Sequence, residues 1–298
     1  MKSLVTGGAG FIGSNLIDTL LGIGHTVVCV DNESSDAHDK PYWNNDSINI
    51  RGDIRDYNLM SSAMKGVDFV FHLAAEARIQ PSIENPINAV SINDLGTATV
   101  LQCARENQVK KVMFSSTSAA YGRNDSPNVE TQYPDPLNPY SVTKLNGENL
   151  CKMYTQLFGL RTVIFRYFNV YGPRQPVRGQ YAPVLGIFKK QKDAGEELTI
   201  VGDGNQRRDF VHVEDVARAN VMAALGDPSG EVYGEVYNVG TGQNFSVNEI
   251  AEMFQHPKTY IAPRPGEARV SLANNQKIRN TFGWSPTHDL EKWVDSQK

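Results

Sequence analysis

Short apolar runs, each closed by glycine, a carboxylate or a cluster of hydroxyls, recur through the first half of the chain. Ser3-Leu4-Val5-Thr6 runs into glycine, residues 26–30 stop at Asp31, and residues 47–50 lead to Gly52-Asp53. Residues 67–75 open into small residues, residues 110–114 end in Ser115-Ser116-Thr117-Ser118, and residues 162–166 lead to Tyr167-Phe168-Asn169. Runs of this length with turn signals at their ends predict buried strands. Between them apolar residues recur at helical spacing, from about residue 14 to 21, 86 to 106 and 140 to 158, the last through Leu145, Leu150, Met153, Tyr154 and Leu157. Strands alternating with helices predict an α/β doubly wound parallel sheet. The alternation breaks after Arg174, and from Gln175 to about Asp209 glycine, proline and charge increase, which predicts a smaller lobe laid over the site. Val236-Tyr237-Asn238-Val239-Gly240 reads as a returning strand, Ser246 as the cap of a further helix, and residues 262–267 as a loop without periodicity.

Gly8-x-Gly10-x-x-Gly13 stands between the first strand and the first helix, the context in which such glycines bind a dinucleotide. There they let the turn close and let the backbone approach a pyrophosphate at the helix N-terminus. Asp31, at the end of the second strand, is placed to accept from the adenosine ribose hydroxyls, and its charge repels a 2′-phosphate, so NAD is expected over NADP. Asp53 is placed to meet the adenine amino group, and the small residues Ala74 and Ala75 suit close approach to a cofactor. His72, inside an apolar strand, reads as a packed core histidine rather than a catalytic one. Tyr140 and Lys144 lie one turn apart on one helix face. A phenol titrates near ~10, and a fixed ammonium beside it is expected to lower that value and make Tyr140 a usable acid/base. The expected division is a Rossmann-type NAD domain over 1–172, with returning segments near 210–240, and a discontinuous smaller lobe over 173–298.

The 298 residues, 40% hydrophobic and 21% charged with net charge −4, suffice for one large or two small cores and leave no basic footprint for nucleic acid. Cys29, Cys103 and Cys151 sit in apolar or helical contexts without a Cys-x-x-Cys pair, and read as buried thiols of a reducing compartment. No metal is expected. Neither a signal peptide nor a span of ~18 apolar residues is found, so a cytoplasmic protein without membrane contact is expected.

Thr6-Gly-Gly-Ala-Gly-Phe-Ile-Gly13, Asp31-Asn32, Gly52-Asp53, His72-Leu-Ala-Ala75, Ser115-Ser-Thr117 and Tyr140-x-x-x-Lys144 resemble the extended short-chain dehydrogenase/reductases. Arg166-Tyr-Phe-Asn169, Tyr171-Gly-Pro-Arg174 and Arg208-Asp-Phe-Val-His212-Val-x-Asp215 resemble the nucleotide-sugar branch, above all the UDP-sugar 4-epimerases. The resemblance implies that Tyr140 takes the proton of the sugar 4-hydroxyl while hydride passes from C4 to the nicotinamide. Lys144 would hold the nicotinamide ribose and Thr117 share the proton path. It implies further cofactor contacts from Gly7, Gly10, Phe11, Ile12 and Gly13 in the turn, from Asn32 and Ile54 near the adenosine, and from Leu73, Asn93, Ser115 and Tyr167. Asn169, Arg208 and Arg264 match groups that bind the UDP phosphates, a task suited to the planar guanidinium fork. Each arginine taken singly also reads as a solvated surface charge. Arg78, Val184, Thr199, Glu267 and Ser271 complete the implied substrate contacts.

Departures from the pattern narrow the chemistry. Dehydratases of this family carry acidic residues directly after the Ser/Thr, and UDP-glucuronate decarboxylases a glutamate at the second of those positions. Here they are Ser118 and Ala119. Epimerisation at C4 of a UDP-hexose through a 4-keto intermediate is the reading left. A UDP-uronate 4-epimerase or another nucleotide-sugar reductase or dehydratase is the alternative, and a non-catalytic NAD-binding protein the remote one. Few residues separate Phe254 from Tyr260, fewer than the resemblance leads one to expect. The resemblance also implies a homodimer paired through helices 86–106 and 140–158, with Val90, Leu101 and Leu145 reading equally as interface or core. Ser271 stands where a bulky aromatic would restrict the sugar, so a pocket open to N-acetylated sugars is expected.

Overall fold

A computed structural model describes residues 1–38, 40–177, 183–228, 232–263 and 268–297. In chain order the strands are β1 (Lys2–Thr6), β2 (Thr26–Asp31), β3 (Ile48–Arg51), β4 (Phe69–His72), β5 (Lys111–Thr117) and β6 (Thr162–Tyr167), followed by β7 (Asn169–Tyr171), β8 (Leu198–Val201), β9 (Arg207–His212), β10 (Glu235–Val239), β11 (Asn244–Ser246) and β12 (Lys258–Ile261). The helices are α1 (Phe11–Gly22), α2 (Tyr57–Ala63), α3 (Ile79–Glu84), α4 (Pro86–Val90), α5 (Gly96–Glu106), α6 (Pro139–Phe158), α7 (Val184–Asp193), α8 (Val213–Leu225), α9 (Val247–Phe254), α10 (Gln276–Phe282) and α11 (Leu290–Ser296).

Seven strands form one parallel sheet in the order β10-β6-β5-β4-β1-β2-β3. This is the doubly wound Rossmann arrangement, whose order reverses between β1 and β4. Side chains alternate across it, as the pleat requires. Leu4, Val70, Val112, Ile164 and Val236 face α2, α5 and α6, with Met60, Leu101 and Tyr154. Their neighbours Val5, Phe71, Met113, Phe165 and Tyr237 face α1 and α8, with Leu16, Leu20 and Ala219. A separate core joins Leu185 and Phe188 of α7, Ile200 of β8, Phe210 of β9, Ile250 and Phe254 of α9, and Val294 of α11. It lies beyond the strand ends, under the short sheets β11-β9-β7 and β12-β8.

Local chemistry accounts for the element ends. The Asn138 side chain accepts from Ser141 N, and Ser141 Oγ accepts from Asn138 N, a reciprocal cap that starts α6 with Pro139 in its first turn. Ser246 and Glu249 form the same device at α9, so the expected cap is found. The run 67–75 is strand only over Phe69–His72, because the N–H groups of Leu73 and Ala74 then turn to Thr6 Oγ1. Helix 86–106 is continuous but carries a π-helical turn over Ser91–Leu95. The three cysteines are buried free thiols, and burial pushes Cys29 up to about 12 and Cys103 to about 11. Among the described residues no helix is long and apolar enough to cross a membrane.

Candidate active site

At the reversal of strand order the carboxyl ends of β1 and β4 leave a crevice, and a cavity of about 620 Å³ fills it. Its floor is the glycine turn. Gly7 has φ +67°, and a Cβ there would stand 2.8 Å from Ala74 N; one on Gly13 would stand 2.2 Å from Gly7 O. Only glycines let turn, helix and strand close this tightly. The N-cap of α1, Gly10, supplies no side-chain cap, and no acidic residue stands in the first turn. Gly10, Phe11, Ile12 and Gly13 line the cavity, so the helix presents donors and positive dipole to whatever enters. That donor set fits a pyrophosphate.

Asp31 is tied to the same turn, accepting from Ala9 N at 3.0 Å and Glu33 N at 2.8 Å. Burial raises its carboxyl and these two bonds offset part of the rise. Asn32 donates to Asp53 at 3.2 Å, and Arg55 grips Asp53 with Nε and Nη2 at 2.8 and 2.7 Å, holding that carboxyl at about 2. Ile54, Leu73, Ala74 and Ala75 line the same end. His72 lies behind it, between Thr6 Oγ1 at 2.8 Å and Thr97 Oγ1 at 3.0 Å, with burial pressing its imidazole down to about 3. It is a packed core histidine.

At the other end stand Thr117, Tyr140 and Lys144. Thr117 closes β5, and Tyr140 rides the first turn of α6, its N–H held by Ser82 Oγ at 3.1 Å. The Thr117 hydroxyl acts on the Tyr140 phenol, lowering it. One expectation is overturned here. Burial raises the Tyr140 phenol, and Thr117, not Lys144, is the group that opposes the rise. The Lys144 ammonium is drawn inward to Ser115 O at 2.8 Å, and burial brings it down to about 8. One turn further along the same helix face, buried Glu148 receives Ser116 Oγ at 2.5 Å and both Nε and Nη2 of buried Arg166, at 2.8 and 2.7 Å. This pair fixes α6 against β5 and β6. Tyr167 completes the wall, accepting from Ser115 Oγ and Asn220 Nδ2, its phenol pushed to about 12 by burial.

Asn93 does not line the cavity. In the π-helical turn it is held at Glu76 N and O and donates to Thr143 Oγ1 at 2.8 Å, so it joins the 76-loop to α6 from behind. Arg78, Asn169, Val184, Thr199, Arg208 and Ser271 are brought together on the side of the smaller core. Arg78 pairs with Asp36 at 2.5 Å, Asn169 donates to Asp209 O at 3.1 Å, and Arg208 donates to Arg207 O and Arg269 O. The Ser271 Oγ is buried without a partner among the described residues. Arg264 and Glu267 lie outside the described residues. Ser34, Ser35, Phe168, Ile187 and Gln206 also line the cavity without having been singled out. The two serines follow the carboxyl end of β2, a position that points to ligand contact, whereas nothing local marks Ile187 or Gln206.

A glycine turn, a carboxylate closing β2 and a Thr–Tyr–Lys set beyond β5, all on one parallel sheet, define a dinucleotide-dependent enzyme of the extended short-chain dehydrogenase/reductase type. The chain belongs to the NAD dependent epimerase/dehydratase family, matched over residues 3–240, and its cofactor is NAD. It is 38% identical to a putative UDP-glucose 4-epimerase of Methanocaldococcus jannaschii, over 98% of this chain and 95% of that one. The structure of the UDP-glucose 4-epimerase of Thermotoga maritima with UDP-glucose superposes with TM-score 0.92 at 36% identity, covering 99% and 96%. A UDP-N-acetylglucosamine 4-epimerase of Methanobrevibacter ruminantium, in complex with UDP-N-acetylmuramic acid, gives 0.89 at 33%, covering 100% and 99%.

Proposed function

We propose that the protein inverts C4 of a UDP-hexose and accepts both the glucose/galactose pair and its N-acetylated counterparts. The observation that carries this reading is the shared cavity. Thr117 and Tyr140 line it together with the glycine turn and with Asn169, Arg208 and Ser271. Bound NAD supplies a reversible hydride acceptor. Tyr140 takes the proton of the 4-hydroxyl and returns it to the 4-keto oxygen after the sugar has turned over, with Thr117 on the proton path. Lys144, anchored at Ser115, holds the nicotinamide ribose, and Asp31 the adenosine ribose. Arg208 and Asn169 face the diphosphate. Ser118 and Ala119 line the cavity where elimination would need acids, which favours epimerisation over dehydration. The small, partnerless Ser271 leaves room beside the sugar, and the likeness to an N-acetylhexosamine epimerase supports the wider substrate range. The same reading assembles the chain as a homodimer through α4, α5 and α6.

The test offers UDP-glucose, UDP-galactose, their N-acetylated counterparts and UDP-glucuronate, with product identification and absorbance monitoring. Interconversion within both hexose pairs without net cofactor turnover is expected. Ser271→Tyr should lower kcat/KM at least about tenfold for the N-acetylated pair alone. Conversion of the uronate only, or steady consumption of reduced cofactor, refutes the assignment.

A further inference from the structure

Away from the cavity, the junction of β9 and α8 meets the link between α10 and α11. His212 and His288 stack there, their ring centroids 4.1 Å apart and their planes 18° apart. Glu214 reaches the same point, with an oxygen 3.1 Å from His288 Nε2. One ligand atom from each of the three residues lies within 4.8 Å of the other two. None of the three lines the cavity.

We propose that His212, Glu214 and His288 form a zinc site that ties the C-terminal segment to the start of α8. Two imidazoles and one carboxylate are a donor set of the right softness for Zn²⁺. The donor atoms converge on one point, and metal binding at His212 Nδ1 displaces the bond by which that nitrogen caps α8. Among the described residues His212 Nδ1 accepts from Glu214 N alone, at a long 3.3 Å that an ion can replace. His288 Nδ1 stands 3.2 Å from Asp215 Oδ2 and 3.4 Å from Thr287 Oγ1, while Nε2 faces Glu214 and is the nitrogen placed to meet an ion. A carboxylate behind a ligating histidine is the usual way such a ring is oriented.

Asp215 is itself held fast. It is fully buried and accepts from Thr287 N at 3.1 and 3.0 Å, Thr287 Oγ1 at 2.7 Å, His288 N at 3.0 Å and Arg218 Nη2 at 2.6 Å. The backbone under His288 is therefore fixed before any ion arrives. The site is empty. Around tetrahedral zinc with bonds of ~2.1 Å the ligand atoms stand ~3.4 Å apart, and the rings must splay from their stack. Glu214 and His288, both on the surface, can rotate to make that contraction, and their exposure leaves a fourth position for water. The positive end of α8 opposes a cation, and the charges of Glu214 and Asp215 offset it.

The test titrates ZnCl2 into the full-length protein, stripped with EDTA, by calorimetry, and follows the melting temperature in parallel. One saturable site per chain is expected, weakened at least tenfold in H288A and in E214Q. Zinc should raise the melting temperature of the wild type and of neither variant, and both variants should keep wild-type turnover in EDTA. Absence of one-site binding overturns the proposal, as does binding that both variants leave unchanged, which would assign the ion to other side chains. Should H288A fold poorly, E214Q decides alone.

Discussion

Tyr140 works under two opposed influences, burial that keeps its proton on and the Thr117 hydroxyl that eases it off. Tyr140→Phe removes the acid/base while leaving the glycine turn and Asp31 intact. Turnover should fall by at least ~10²-fold, with NAD still released on denaturing the purified variant; a rate near wild type would refute the role. Lys144 carries a cost of a different kind. Its folded value of about 8 lies below the ordinary 10.5, so between those pH values the unfolded chain binds more protons than the folded one. Its contribution to stability is therefore lowest below pH 8 and rises as pH climbs towards 10.5, by on the order of 3 kcal/mol. Denaturant titrations of the NAD-free protein should show the stability difference, wild type minus Lys144→Met, growing over that window; a flat difference would place the ammonium in a wetter site.

The element that organises the site is α6, which carries Tyr140, Lys144 and Glu148 at successive turns of one face. Glu148→Ala would leave Arg166 buried without its partner, with Nη1 already unsatisfied. A loss of ~3–5 kcal/mol is expected in urea unfolding, the usual result of breaking a buried pair; a loss below about 1 kcal/mol would mean that water reaches the arginine. The helix itself, its Tyr/Lys spacing and the glycine turn before it were legible from residue order, since each is a local pattern. What was not legible depends on partners distant in the chain. Spacing shows that Tyr140 and Lys144 share a face, but not that the ammonium turns to Ser115 and leaves the phenol to Thr117. Asn93 resembled a cofactor contact because helical periodicity cannot show that its amide is taken by Glu76 and Thr143. The π-helical turn that aims it is equally silent, since its apolar spacing merges with the helices on either side. In the smaller core, β8 finds its partner β12 some sixty residues later, and short strands carry little register information of their own.

For the whole molecule, the helices beside the sheet leave several apolar side chains in solvent. Ile87 is 82% exposed, Leu157 68% and Leu95 56%, with Ile83, Val90 and Val142 also exposed, whereas Leu101 is core and Leu145 half-buried. Exposed apolar residues of this kind on α3, α4 and α6 suit the homodimer proposed above. Light scattering at micromolar concentration should therefore give twice the chain mass, and Ile87→Glu should shift it to the monomer; a monomeric wild type would refute the pairing. The position of β10 bears on how the protein is made. Among the described residues it pairs with β6 alone and closes that side of the sheet, yet it follows Tyr167, the last residue of β6, by 68 positions (235 − 167). At ~5–20 residues per second a ribosome needs roughly 3–14 s to bridge that interval. Throughout it the flank of Val163, Ile164 and Phe165 stands open on the nascent chain, a template for pairing with any other strand. Synthesis arrested before residue 239 should thus leave an aggregating fragment rather than a smaller folded domain.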